Sequence, residues 1–347
     1  MKVDYIVVGL GLAGIGICEQ LRAHNKAFVV FDDGSQRSSW VAGGLYNPVV
    51  LKRFTPVWKS KVQLNIALKH YKSIEQRLNI NVIRPISVYR KFDSIEEQNN
   101  WFTASDKPEL TDYLNTTLIK NDNAAVNAPF GFGKVNQTGR IDVINLIKAY
   151  TEELKGAGTY IKDAFNHSIL NSSDTMLTYK NIAARGVIFA EGYGMHKNPY
   201  FKDLPLLPTK GELLTIHAPD LKIDYVLKGP VFLIPLQQDT YLVGATYGRG
   251  DTSHDITDKA RSDLVEKLKT LINCSFEVIN HVAGIRPTVK DRRPLVGRHS
   301  DHKQLYVLNG LGTRGVMIGP YVAGQLFEFM EHNTPLDKEI DICRFDK

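Results

Sequence analysis

The chain opens on a short apolar, β-forming run at residues 5–8. It gives way at once to glycines and then to small and apolar residues at helical spacing. A second apolar run, 27–31, ends on Asp32 and Asp33. This pattern predicts strand, helix, strand. Val62, Ile66, Leu68, Tyr71, Ile74 and Leu78 recur at helical spacing through 58–78 and predict an amphipathic helix with those residues on its apolar face. Residues 81–92 predict a strand and 94–104 a short helix. Residues 105–139, rich in Asn, Gly, Pro and Asp, predict loops and short strands. A helix is expected over 139–158, where Asp142 can cap the start and Gly156 and Gly158 end the periodicity. Residues 184–194 suit a third buried parallel strand that faces a ligand. From 209 onward the alternation is that of antiparallel strands, with a capped helix over 255–272. A strand at 304–310, the loop "LGTRG" and a helix over 316–331 close the chain. Nucleotide-type segments thus bracket an antiparallel middle, which predicts one domain assembled from separate pieces and a second inserted between them.

The first of these segments carries chemistry. Gly9, Gly11 and Gly14 stand in G-x-G-x-x-G spacing between the first strand and the first helix. Gly9 permits a tight turn, Gly11 lets the backbone approach a pyrophosphate, and Gly14 lets helix and strand pack closely. The helix N-terminus adds unpaired N–H groups and a partial positive charge. Asp32, at the end of the second strand, is placed to accept hydrogen bonds from an adenosine ribose. A dinucleotide site follows, and the motif alone leaves NAD and FAD open.

Composition narrows the class. Hydrophobic residues make up 43% of the chain and charged residues 23%, the proportions of an ordinary soluble globular protein. The net charge of +6 favours anionic partners, but no block of five basic residues occurs. The densest basic stretch, "LKRFTPVWKSK" at 51–61, is expected to be a solvated face unless an anionic ligand meets it. The three cysteines show no paired spacing, which argues against a disulfide framework or a zinc site and for a reducing cytoplasm. No apolar stretch reaches the roughly 18 residues of a membrane span. His299 and His302 are expected in a solvated loop, and no metal ligand set is expected.

Arg286 raises a sharper question. It lies in "VAGIRPTVKDRRPLVG", 282–297, a segment otherwise suited to a buried strand edge. A guanidinium leaves water only when an anion meets it. The anion could be a fold acid such as Asp291, a phosphate or a substrate carboxylate.

Four blocks in order resemble the D-amino-acid-oxidase-like FAD oxidoreductases, nearest the glycine and sarcosine oxidase branch: "VVGLGLAG" with Asp32; "SSWVAGGLYNP"; "VIFAEGYG" with "LPTKGELLTI"; and "YLVGATY" leading to "AGIRPTVKDRRPLVGRH" and "LYVLNGLGTRGVMIGPYVAGQL". The flavin oxidase domain of the bifunctional bacterial enzyme that modifies the tRNA wobble uridine is similar too. The resemblance implies an α/β architecture: an FAD-binding Rossmann-like domain of the glutathione-reductase type, from 1–80, 134–205 and 283–347, with an inserted antiparallel-sheet substrate domain from 81–133 and 206–282. It implies that Gly9, Gly11, Leu12, Ala13, Gly14, Asp32, Asp33 and Gly192 help bind FAD. Gly43, Gly44 and Leu45 would lie beside the isoalloxazine. Gly310, Gly312, Thr313, Gly315 and Val316 would close over its other end, with the last helix aimed at the ring.

The same resemblance assigns Arg286 to a substrate carboxylate, which suits a bidentate guanidinium. It matches Arg314 to an arginine of glycine oxidase. Two departures stand out. Phe232 occupies the place where glycine oxidases present a tyrosine hydroxyl, leaving Tyr241 or Tyr247 as substitutes. No cysteine lies where sarcosine oxidases attach FAD, so non-covalent FAD is expected. The implied reaction is oxidation of the C–N bond of a carboxylate-bearing amine by hydride transfer to flavin. The alternatives are oxidation of carboxymethylaminomethyl-uridine in tRNA, and a flavin- or RNA-binding protein without catalysis.

Overall fold

The computed structural model describes residues 1–172 and 176–345. Strand β1, Lys2–Val8, is the middle of a mainly parallel sheet. Strand β2, Phe28–Phe31, flanks it on one side, followed by Tyr160–Ile161. On its other side come Ile182–Phe189 and then Leu305–Asn309, all running parallel. Phe28–Phe31, Gly186–Phe189 and Leu305–Asn309 are buried on both faces, as a sheet covered by helices requires. Leu295–Arg298 adds an antiparallel edge beside Leu305–Asn309, and Leu177–Tyr179 pairs with the start of Ile182–Phe189.

Six helices punctuate the described chain: α1 Leu12–Ala23, α2 Ser60–Leu78, α3 Ile95–Ser105, α4 Val143–Gly156, α5 Asp258–Lys269 and α6 Gly315–His332. The starts of three are set by side chains that accept from the third backbone N–H beyond: Ser94 for α3, Asp142 for α4 and Thr257 for α5. The expected helix at 139–158 therefore begins only at Val143. Gly139–Ile141 instead form a strand between Leu45–Tyr46 and Ile83–Pro85. The expected strand over 81–92 divides likewise: Ile83–Pro85 joins that small sheet and Val88–Lys91 joins a larger one.

That larger sheet runs, strand by strand, Glu277–Val289, Leu206–His217, Thr240–Gly244, Phe232–Pro235, Val226–Lys228, Val88–Lys91 and Phe132–Val135. Its pairs are antiparallel except Val226–Lys228 with Val88–Lys91, which is parallel. Glu277–Val289 carries this sheet through the expected domain boundary at 283, and Phe132–Val135 through the one at 134. One face packs on α5 through Leu264 and Leu268, and on Leu271 just beyond it. The other turns toward the C-terminal ends of the parallel strands.

The register of α2 departs from the sequence pattern. Val62 and Ile66 are 49% and 36% exposed, whereas Leu64, Ala67, Tyr71 and Ile74 are buried together with Gln63 and Glu75. Glu75 is inside because its carboxylate accepts from the Val82 and Ile83 backbone N–H groups at 2.7 and 2.8 Å. A satisfied polar group can occupy the inner face, which turns part of the apolar stripe outward.

Candidate active site

A cavity of about 1530 Å³ lies between the two sheets, larger than the ~300–1,000 Å³ of ordinary small-molecule sites. Its floor is the end of β1 and the start of α1. Gly9 has φ +96°, and a Cβ on Gly14 would stand 2.0 Å from the Gly9 carbonyl oxygen. Only glycine permits that crossing of helix and strand. Gly11, Leu12 and Ala13 line the cavity at the opening of α1, while Gly14 lies beneath it. Asp32 and the more exposed Asp33 follow β2. The Asp32 carboxylate accepts from Gly34 N–H at 2.6 Å and from Leu10 N–H. Burial pushes that carboxyl above its ordinary range, against the pull of these two bonds.

The other expected cofactor positions converge on the same space. Gly43, Gly44, Leu45, Gly192, Gly312, Thr313, Gly315 and Val316 line it; Gly310 does not and packs instead against Val289 and Leu295. The loop before α6 is anchored by Gly312 N–H to the Pro287 carbonyl at 3.0 Å, and α6 by the Tyr71 hydroxyl to the Val316 carbonyl at 2.9 Å. The Pro287 link fastens the loop to the strand that carries Arg286.

The cavity's wall is the face of the seven-stranded sheet. Strand alternation turns Leu213, Leu242, Gly244, Phe232, Ile234 and Lys228 inward. Tyr241 has the opposite parity and is buried among the residues that pack on α5, so it is not available as a substitute for the missing tyrosine. Tyr247 stands at the rim, 68% exposed, with Arg286 4.7 Å from its ring centroid.

Arg286 itself lies flat across Gly211, where a Cβ would come within 2.0 Å of Nη2. Nη1 donates to the Thr246 carbonyl at 3.1 Å. Burial pushes its guanidinium down, opposed by Tyr247. Arg314, at the N-cap of α6, is pushed down by burial in the same way and shares Tyr247 as its electrostatic neighbour. Asp291, the fold acid considered for Arg286, is engaged elsewhere: it accepts from Arg344 Nε at 3.0 Å and from Arg293 N–H at 2.9 Å. Two guanidiniums thus face the cavity from different elements, and among the described residues no carboxylate pairs with either.

A family model for FAD dependent oxidoreductases matches residues 4–328. The chain belongs to that family. Glycine oxidase of Bacillus subtilis is 22% identical over 367 residues, covering 98% of this chain and 96% of the relative. The tRNA 5-methylaminomethyl-2-thiouridine biosynthesis bifunctional protein of Marinobacter nauticus is 25% identical over 177 residues, 46% of this chain and 27% of that protein. The crystal structure of glycine oxidase from Geobacillus kaustophilus shares the fold at a TM-score of 0.79 and 18% identity, covering 99% of this chain and 98% of that one.

FAD is the cofactor of this FAD-dependent oxidoreductase, and the residues present suit it. The glycine crossing brings Gly11, Leu12 and Ala13 at the start of α1 to the cavity wall, Asp32 lines the same space, and the cavity continues unbroken to Gly43 and Gly312.

The oxidoreductase also holds groups that sequence patterns did not single out. Lys210 is 2% exposed and bonds Asp251 and Ser253 at 2.5 and 3.1 Å. Glu212 accepts from Thr257 N–H and Oγ1 at 2.8 and 2.9 Å. Together they fasten the loop 245–257, which carries Thr246 and Tyr247, onto the strand beneath Arg286. Polar residues on both sides of Gly211, in an otherwise apolar strand, were the available signal. Lys228 is the other such group.

Proposed function

We propose that this protein oxidises the C–N bond of a carboxylate-bearing amine. The observation that carries the reading is Arg286, a half-buried guanidinium facing the cavity with no acid among the described residues to neutralise it. A carboxylate takes two parallel N–H bonds from such a group, and Lys could not supply that geometry. Arg314 adds a second positive charge. The apolar Phe232, Ile234 and Leu242 exclude water around the rest of the substrate. FAD, when bound, supplies the two-electron acceptor for the oxidised C–N bond. The protein's own part is to hold the carboxylate, fix the α-carbon's orientation and accommodate the amine in neutral form.

The basic stretch 51–61 argues for a small amine over a tRNA. Lys59 is paired with Asp337 at 2.6 Å and Lys61 with Asp112 at 3.4 Å, so half of its cations are already matched by acids of the fold. The experiment is the visible spectrum of the anaerobic holoenzyme before and after glycine, sarcosine, D-amino acids, L-proline and carboxymethylaminomethyl-modified tRNA. Bleaching of the flavin by a small amino acid is expected. Bleaching by the tRNA alone would overturn the small-amine reading.

A further inference from the structure

Arg286 reaches its place by crossing a strand. Its backbone pairs with Thr209, yet its guanidinium lies over Gly211 and bonds the Thr246 carbonyl on the far side. A shift in pairing sets what it meets there. Leu213 stands opposite Gly244, but Lys210 stands opposite Gly248, so three steps along one strand match four along the other. This β-bulge brings Thr246 beside Glu212, whose N–H donates to Thr246 Oγ1 at 2.9 Å. It brings Tyr247 opposite Gly211, on the face where the guanidinium lies. A bulge disrupts the ladder locally, so the stretch beyond it needs a hold of its own.

Lys210 supplies that hold. Its backbone N–H and carbonyl exchange bonds with Gly248 at 2.9 and 2.8 Å. Its side chain alternates with Gly211, leaves from the opposite face and is buried. There the ammonium donates to Asp251 Oδ2 at 2.5 Å and to Ser253 Oγ at 3.1 Å. One residue thus grips the strand extension by its backbone and the following loop by its side chain. The bond from Lys210 first, then those from Ser253, hold the Asp251 carboxyl down to about 2, so it stays ionised at neutral pH. A buried ion pair adds little net stability over an apolar residue of similar volume. Its effect is therefore to be sought in the position of the loop.

We infer that Lys210 is a positioning residue for substrate binding: through the loop 245–257 it sets the Thr246 carbonyl and the Tyr247 ring that orient the Arg286 guanidinium. The inference rests on the carboxylate reading of Arg286. Its test is calorimetric titration of the FAD-loaded holoenzyme with methoxyacetate, a carboxylate with an ether oxygen in place of an amine. Wild type, Lys210→Met, Arg286→Ala and the double variant are compared. Methionine fills the volume of the lysine stem and leaves Asp251, already 45% exposed, to solvent. Lys210→Met is expected to weaken binding about tenfold at normal flavin content, and to cost less than about twofold when added to Arg286→Ala. Trypsin should also cut after the exposed Arg249 at least roughly fivefold faster in Lys210→Met, read as release of the fragment 1–249. Wild-type affinity in Lys210→Met, an undiminished loss in the Arg286→Ala background, or an unchanged cleavage rate would each overturn the inference. A loss in Arg286→Ala without one in Lys210→Met leaves the carboxylate reading standing and removes only the role of Lys210. Unchanged affinity in Arg286→Ala removes both. Neither readout needs turnover, so failure of the amine-oxidation reading, seen as no bleaching by any amine, is registered separately.

Discussion

The guanidinium of Arg286 is held from two directions by consecutive residues of one loop: Thr246 accepts from Nη1 at 3.1 Å, and the Tyr247 ring stands 4.7 Å away. Neither contact neutralises the charge. One orients it through a carbonyl dipole and the other through a ring face, so the cation stays available to a ligand.

Loss of that cation should therefore be read in substrate binding rather than in cofactor content. Arg286→Ala is expected to raise KM for the amine and Kd for carboxylate inhibitors about 100-fold, roughly 2.7 kcal/mol. Flavin content should match the wild type. Arg286→Lys should recover only part of the loss, because one ammonium cannot present two parallel donors. Steady-state kinetics and inhibitor titration of both variants check this. Unchanged constants in Arg286→Ala would remove the carboxylate assignment.

Tyr247 acts on Arg286 through its ring, since the phenol stands exposed at the rim. Tyr247→Phe should leave KM within about twofold. Tyr247→Ala should raise it by roughly 2- to 5-fold, the size of a half-exposed cation–π contact. A large effect of Tyr247→Phe would show instead that the hydroxyl touches substrate.

The glycine crossing offers a cofactor test that leaves the substrate wall alone. Gly14→Ala puts a methyl 2.0 Å from the Gly9 carbonyl, against backbone that has no room to retreat. The variant is expected to purify without the yellow of bound flavin and to require at least a 100-fold excess of FAD for reconstitution. Absorbance at the flavin band per mole of protein measures it.

Acid sensitivity has an identifiable source on α6. Burial pushes the Glu331 carboxyl up, but bonds from Lys26 and Tyr5 and the charge of Arg185 outweigh it and hold the group below its ordinary range. A carboxyl depressed in the folded state contributes stability above its unfolded value, and that contribution is lost as pH falls through the folded one. Glu331→Gln should lower Tm at pH 7 by about 2–4 °C. The gap to the wild type should narrow as pH drops from 5 toward 3. A constant gap across that range, followed by calorimetry, would dissociate Glu331 from the acid response.

Much of the cofactor end was legible from residue order. Gly9, Gly11, Gly14 and Asp32 are separated by less than one strand–helix–strand unit, and each needs only its local backbone to do its work. The caps Asp142 and Thr257 are local for the same reason, as each bonds a backbone N–H three residues on. The apolar face of α2 was misread because the choice between Val62 and Leu64 depends on what lies opposite. Glu75 selects it by capping backbone from the next segment. Gly139–Ile141 became strand because two distant partners were waiting for it.

The sequence by itself determined the βαβ opening with its phosphate-approach glycines, the order of segments around a mainly antiparallel middle, and an arginine in a strand that otherwise seeks burial. Tertiary structure alone decided the company each cation keeps. Asp291, only five residues from Arg286 in the chain, turned to Arg344, while Lys228 was carried into the cavity by pairing with Val88–Lys91 far upstream. The physical reason is that turns, caps and periodicity act over a few residues. Neutralisation of a charge depends instead on which strands become neighbours, and strand pairing joins segments over a hundred residues apart.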